Sequence, residues 1–258
     1  MLHLDSISKE FPDKILFKNI SLKIKEGMRV GLIGINGSGK STLLKILLGI
    51  QEPDTGNVII GKGISIGYLP QEIPPGNENT IMEEVLASFP EVSLLEKKIE
   101  SLTNQISKDS QNEKLLSKLS NLHNEFEEIG GWNIEDNAKK ILSGLGFKSA
   151  QFNQTYSSFS GGWRMRCLLA GILLKKPKYL FFDEPTNHLD LEAIIWMENF
   201  ISKWRGGLIM ISHDRQFLDK AVNNIYELEN QQGKLHKGNY SQFLVIKEQI
   251  IDHNKKVF

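Results

Sequence analysis

From Arg29 to Gly49 the chain changes character twice: RVGLI is apolar and strand-like, GINGSGKS breaks it, and STLLKILLG resumes with helical spacing up to Gly49. Strand, glycine loop and helix in direct succession form the setting in which the loop from Gly34 to Ser41 carries a chemistry. Gly34, Gly37 and Gly39 let the backbone curl until its amides converge on phosphate oxygens, and the following helix adds its positive end. Lys40 is placed to neutralise β- and γ-phosphates, and the Ser41 hydroxyl to ligate Mg²⁺. Asn36, Ser38 and Thr42 complete the candidate ligands of the loop. The bland alternative, a glycine-rich turn without a ligand, leaves the flanking elements unexplained.

Two further apolar runs, YLFFD at 179–183 and GLIMIS at 207–212, are short and continuous, as in parallel strands buried on both faces. The first ends in Asp183 and Glu184, two carboxylates whose desolvation is costly unless a cation or a reaction uses them. Asp183 is the candidate to complete the Mg²⁺ shell, and Glu184 to orient or deprotonate an attacking water. The second run ends at His213, and a lone histidine is more often structural. FSGGWR at 159–164 starts a helix running to Leu174 before Pro177, a second helix start able to meet an anion, though Ser-Gly-Gly alone is more often a simple cap. Gln71 in YLPQE and Asp190 in NHLD are weaker signals. Asp190 is also placed to cap a helix through Trp204.

Alternation of Leu2 and Leu4, then Ile20, Leu22 and Ile24, with polar residues predicts a β-rich opening lobe. With strands and helices alternating afterwards, the leading architecture is α/β with a parallel sheet. At 258 residues one core with a subsidiary lobe is affordable. Lys plus Arg and Asp plus Glu both number 31, so no bulk field draws the chain to nucleic acid or to an anionic membrane. Cys167 is alone, which excludes an internal disulfide and a cysteine-ligated cluster, and in an apolar helix it reads as inert core. No apolar run approaches the roughly 18 residues needed to span a bilayer, and Met1 to Glu10 lacks a signal peptide's apolar core. A cytoplasmic chain without stable membrane insertion is expected.

Residues 93–129 contain no glycine or proline and are densely charged. Leu95, Ile99, Leu102 and Ile106, then Leu115, Leu119, Leu122, Phe126 and Ile129, fall three or four apart, predicting two helices joined by SKDSQN. Capping boxes are expected at Ser93 with Glu96 and at Ser110 with Glu113. Helices of about 14 and 19 residues would form an antiparallel hairpin roughly 20 to 28 Å long. It is either packed into a helical subdomain or a projecting arm. Its outer lysines, Lys97, Lys98, Lys108, Lys114 and Lys118, share the segment with enough acids to leave it net negative. After Gly238, Asn239 and Tyr240 a last helix carries Phe243, Ile246, Ile250 and Val257 on one stripe, and the chain stops inside that pattern, as a fragment cut within a linker helix would.

GINGSGKS, the Gln71 loop, FSGGWR, YLFFDE, the NHLD loop and His213 together resemble the motif series of ABC ATPases, in order and over nearly the whole chain. The resemblance implies an ABC-type P-loop NTPase core with a mostly parallel sheet, an N-terminal antiparallel β lobe, and a helical subdomain over about 72–175 extended by the hairpin at about 93–129. It implies ATP and Mg²⁺ as cofactors, with Ser41, Gln71 and Asp183 at the metal, and Glu184, His213 and Gln71 serving hydrolysis. Ser160, Gly161 and Gly162 of one copy would cover the γ-phosphate held by another, so a second ABC domain is the implied partner, and Asp190 joins the nucleotide set. An aromatic stacks on adenine, for which Phe11 is preferred over Phe17.

Within that superfamily DEPTNHLD from Asp183 to Asp190, the helical insertion between Gln71 and Ser160, and GNYSQF leading into a helix resemble the ABC-F group, soluble two-domain proteins of which many act on the ribosome. On that likeness residues 1–238 are the ABC ATPase domain, 239–258 begin the interdomain linker, and the partners are the ribosome and its RNA. Two departures stand out: Phe159 and Trp163 replace the leucine and glutamine usual in transporter ATPases, and only one domain is present, which puts autonomous turnover in doubt. The alternative is the ATP-binding subunit of a membrane transporter. DNA-repair relatives carry far longer coils, and the ribosome-recycling relatives need the clusters that a single cysteine excludes.

Overall fold

The computed structural model describes residues 1–72, 75–107, 112–187 and 189–257, with side chains up to Ile250. The chain divides into two compact units, Met1–Glu72 with Pro177–Phe258, and Ile73–Lys176. Up to Glu72 it forms β1 (Leu2–Phe11), β2 (Lys14–Ile24), β3 (Arg29–Gly34), α1 (Lys40–Leu47), β4 (Thr55–Ile60) and β5 (Ile66–Leu69). The second unit holds α2 (Ile81–Leu86), α3 (Pro90–Ile106), α4 (Glu113–Glu128), α5 (Ile134–Gly144) and α6 (Gly161–Leu174). After Pro177 come β6 (Tyr179–Asp183), α7 (Leu191–Lys203), β7 (Gly207–Ile211), α8 (Arg215–Ala221), β8 (Asn224–Glu229), β9 (Gln232–Lys237) and α9 (Tyr240–Val257).

In the first unit β1 pairs antiparallel with both β2 and β4, giving the expected opening lobe, and Leu2, Leu4, Ile20, Leu22 and Ile24 are all buried. The larger sheet has the order β5-β6-β7-β3-β8-β9, parallel except for β9 at its edge. Every residue of β6 and β7 is buried, as their unbroken apolar runs require. Between the sheets lies a core of Leu4, Phe17, Ile20, Phe181, Ile209, Ile211 and Tyr226, joined by Leu43, Leu44 and Leu47 of α1. Each such side chain contributes about 1.5–3 kcal/mol on burial. Two tyrosines also reach across: Tyr179 Oη donates to the Ile24 carbonyl at 3.2 Å and Tyr226 Oη to that of Ser21 at 3.1 Å, so neither hydroxyl is left unpaired in the core. Tyr226 is so desolvated that ionisation is pushed well above the ordinary phenol range.

In the second unit α2, α5 and α6 pack together and α3 packs on α4. The seam is as the spacing predicts: Leu95 and Phe126 are buried, Ile99, Leu102, Ile106, Leu115, Leu119, Leu122 and Ile129 half-buried, and Lys97, Lys98, Lys114 and Lys118 exposed. The expected helix start at Ser93 is wrong. α3 begins three residues earlier, with Phe89 at its N-cap and Pro90 in its first turn, so Ser93 sits inside the helix and forms no capping box. Proline fixes φ for a first turn and has no amide to satisfy there, which makes a side-chain cap unnecessary. At α4 the cap is Asn112, whose side chain accepts from the Leu115 amide at 3.3 Å, while Ser110 and Lys108 lie outside the described residues. Cys167 is buried beside the Ile81 carbonyl, and burial pushes its thiol up to about 12, which keeps it protonated and inert.

Candidate nucleotide site

Sheet order brings the motifs of the first unit together. Asp183 pairs with Ile211 on β7, and Ile211 with Leu32 on β3, so the carboxyl ends of three neighbouring strands stand level. From them leave the acids, His213 and the glycine loop. Gln71 follows β5, the next strand along. The crevice outside the carboxyl ends of parallel strands is where an open α/β sheet binds ligands. Here a cavity of about 400 Å³ is lined by Phe11, Leu16, Asn36, Gly37, Gly39, Lys40, Ser41, Thr42, Gln71, Asp183, Glu184, Asn187, Ile211 and His213.

The loop depends on glycine where the backbone turns left-handed. Gly37 has φ 76° and Gly39 φ 98°, and a Cβ on Gly39 would stand 2.9 Å from the Phe17 ring. Phe17 thus forms the floor under the loop and is fully buried, whereas Phe11 is 47% exposed at the cavity mouth. Of the two aromatics considered for stacking a base, only Phe11 lines the cavity. Lys40 Nζ donates to the carbonyls of Gly34 at 2.9 Å and Ile35 at 3.3 Å, inside the loop it belongs to. Burial lowers its pKa, opposed by the charges of Glu184 and Asp183. Ser38 Oγ is buried without a hydrogen-bond partner among the described residues, and a Cβ on Gly34 would meet it at 2.5 Å.

The two acids are 7% and 6% exposed. Desolvation raises the Asp183 pKa, as does the Glu184 charge, with Lys45 and Lys40 opposing. Glu184 has φ 50°, strained for a residue with a side chain, and is held by its amide donating to the Ile211 carbonyl at 2.9 Å. Its Oε2 accepts from the His213 amide at 3.1 Å, and Oε1 lies 3.4 Å from His213 Nε2 without hydrogen-bond alignment. A buried carboxylate oxygen without a donor among the described residues, on a side chain that lines the cavity, is a group awaiting one. Among the described residues no cluster of three His, Cys, Asp or Glu could hold a metal. A hydroxyl, an amide oxygen and one carboxylate (Ser41, Gln71, Asp183) share this cavity instead, a hard and sparse donor set that fits Mg²⁺, which keeps waters and takes its remaining ligands from phosphate.

Other candidates lie apart from the cavity lining. Asp190 caps α7, its carboxylate accepting from the Ala193 amide at 2.8 Å, and His188 is outside the described residues. Ser160, Gly161 and Gly162 belong to the second unit, where they begin α6 and the Ser160 side chain forms no cap hydrogen bond. Lys14 joins the loop from outside the motifs: its Nζ donates to the Gly37 carbonyl at 2.8 Å, tying β2 to the loop. Nothing in FPDKILF marks it. Asn187, inside DEPTNHLD, also lines the cavity.

The profile of the ABC transporter family matches residues 17–187, which include the loop, both acids and the Ser-Gly-Gly helix start. The chain belongs to that family. It is an ABC ATP-binding domain. ABC transporter F family members 2 and 5 of Arabidopsis thaliana are 37% and 35% identical over 256 and 254 residues, 97% and 96% of this chain but 38% and 37% of those proteins. The chain thus spans under two fifths of the length of these two relatives. A nucleotide-free ATP-binding cassette from an ABC transporter has the same fold, with TM-score 0.69 at 21% identity over 96% of this chain and 95% of that one.

Proposed function

We propose that this ABC domain binds and hydrolyses ATP as the first of two such domains in a cytoplasmic ABC-F protein, and that the whole protein acts as a translation factor on the ribosome. The observation that carries the hydrolytic part is the row of strand ends where Lys40, Ser41, Gln71, Asp183, Glu184 and His213 share one cavity. In this reading the loop from Gly34 to Thr42 holds the phosphates, Phe11 stacks on adenine, and Ser41, Gln71 and Asp183 hold Mg²⁺, which supplies charge neutralisation when bound. Glu184 takes the proton of an attacking water through its donor-free oxygen, and His213 fixes that carboxylate. Ser160, Gly161, Gly162 and Asp190 complete the site against a second ABC domain. The ABC-F assignment, with residues 1–238 as the domain and 239–258 as the start of a linker, is supported by the two F-family relatives and by the α3–α4 insertion between Gln71 and Ser160. Among the described residues no helix is long and apolar enough to cross a membrane.

Two substitutions test the hydrolytic reading. Lys40→Ala removes a charge-assisted phosphate contact and is expected to weaken ATP binding by roughly 30-fold or more, about 2 kcal/mol, in a calorimetric titration. Glu184→Gln is expected to keep ATP affinity and lose about 10²- to 10⁴-fold in turnover. Parental affinity in the first variant, or parental turnover in the second, removes the corresponding role.

A further inference from the structure

The second unit carries a groove that the nucleotide site does not use. It runs between α2, the first turns of α3 and the start of α5, and encloses about 1120 Å³. Its apolar wall includes Phe89, Leu94 and Trp132, of which Leu94 is 58% and Trp132 59% exposed, while the buried Phe126 backs Trp132 edge-on at 4.7 Å. Exposed aromatic and aliphatic side chains over a packed base are the kind of anchor on which interface energy concentrates. The rim is acidic: Glu83, Glu96, Glu100 and Glu135 are all exposed there, with Lys97 as the cation among the lining residues. Glu96 and Glu100 have no ion-pair partner among the described residues. Glu83 is held anionic by the Thr80 amide and hydroxyl, and Glu135 is paired with Lys139 at 3.3 Å.

We infer that this groove docks a basic amphipathic helix of a partner protein, its apolar stripe on Leu94 and Trp132 and its lysines or arginines on Glu96 and Glu100. Charge complementarity decides the occupant. An RNA backbone would meet a rim of like charge, whereas a basic helix meets the opposite charge on the rim and apolar surface on the wall. Size agrees as well, since a helix about 10–12 Å wide fills such a volume with about two to three turns. A second depression, between α3 and α4, is lined by Lys98 and Lys118 and shares Lys97 with the groove. The acids Glu83, Glu96, Glu100 and Glu135 thus line the groove, whereas Lys98 and Lys118 line the second depression beside Glu125.

A fluorescein-labelled 14-residue amphipathic peptide of leucine and lysine serves as the probe, beside a twin in which every lysine is glutamate and a labelled polyuridine RNA. In anisotropy titrations of the whole chain the lysine peptide is expected to bind at least about ten-fold more tightly than its twin, and to weaken as salt screens the rim. The exposed pair Glu96→Lys with Glu100→Lys should reverse that preference at an unchanged melting temperature and ATP affinity. Trp132→Ala should weaken the lysine peptide about ten-fold. Equal binding of both peptides, no binding of either, or an unaltered preference in the reversed variant overturns the inference. So does RNA binding that is lost with Trp132→Ala. Self-association abolished by the charge reversal would instead give the groove to a second copy of this chain.

Discussion

Asp183 and Glu184 place two carboxylates side by side under less than a tenth exposure, and stability alone would not select that arrangement. Because the folded pKa of Asp183 lies above its unfolded value, the folded state binds the extra proton between the two, and stability falls as pH rises through that window. At neutral pH the ionised acid is therefore a net cost to the ligand-free protein, which the proposed Mg²⁺ would offset. Asp183→Asn is expected to melt at the same or a higher temperature without ligand, and to lose most of the rise that ATP with Mg²⁺ gives the parent. Scanning calorimetry decides it, since a variant several degrees less stable without ligand would make Asp183 a structural residue. In the proposed site protons would also compete with the cation. Mg²⁺–ATP affinity should decline on acidification before the pH reaches the ordinary carboxylate range. The sequence shows these acids plainly, because an unbroken apolar run ends in them. It does not show Lys14, whose bond to the Gly37 carbonyl arises only when β2 pairs beside the loop.

Helices of the second unit show how far spacing carries and where it stops. The three-and-four rhythm of leucines picks out the α3–α4 seam because burial follows the 3.6-residue turn. Helix ends are read from single residues instead, and Ser93 with Glu96 imitates a capping box inside a helix that Pro90 had already begun. A feature that no spacing reveals is Gly131, where a Cβ would stand 2.5 Å from the Phe126 ring. Phe126 packs flush on that backbone and carries Trp132 on its edge, so the base of the hairpin closes over a glycine. Gly131→Ala is expected to cost about 1–3 kcal/mol as an overpacked contact, read as an earlier urea midpoint. Parental stability would mean that Phe126 can move aside. In the first unit α9 is fixed to the sheet by Phe243, buried and edge-on to His236 at 5.1 Å, and by Lys247, which bonds Glu227 and lies 3.0 Å from Glu229. The stripe expected along it weakens outward: Ile246 is half-buried and Ile250 39% exposed, and the Val257 side chain lies outside those described.

At the scale of the molecule, parallel pairing converts a linear order of motifs into adjacency. Gln71, Asp183 with Glu184, His213 and the glycine loop are far apart in sequence but follow four consecutive strands, β5, β6, β7 and β3. That adjacency could be expected from buried strand runs, whereas the strand order could not, since nothing in β7 itself states that it lies between β6 and β3. In the proposed ABC-F protein the α3–α4 hairpin is the arm, and its flank with Lys98 and Lys118 is the side able to meet RNA phosphates. The full-length protein carrying Glu184→Gln, which keeps its ATP, is therefore expected to sediment with ribosomes only when ATP is present, and to lose that association when residues 93–129 are deleted. Raising the salt should release it steeply, because each lysine on a phosphate displaces a counterion. Sedimentation that ignores ATP or survives the deletion removes the hairpin from the contact, and copurification with a membrane permease in place of ribosomes moves the domain to the ATP-binding subunit of a transporter. The comparison is informative because the deletion leaves every residue of the nucleotide cavity in place, so ATP binding by the deleted protein separates loss of an arm from loss of the site that drives it.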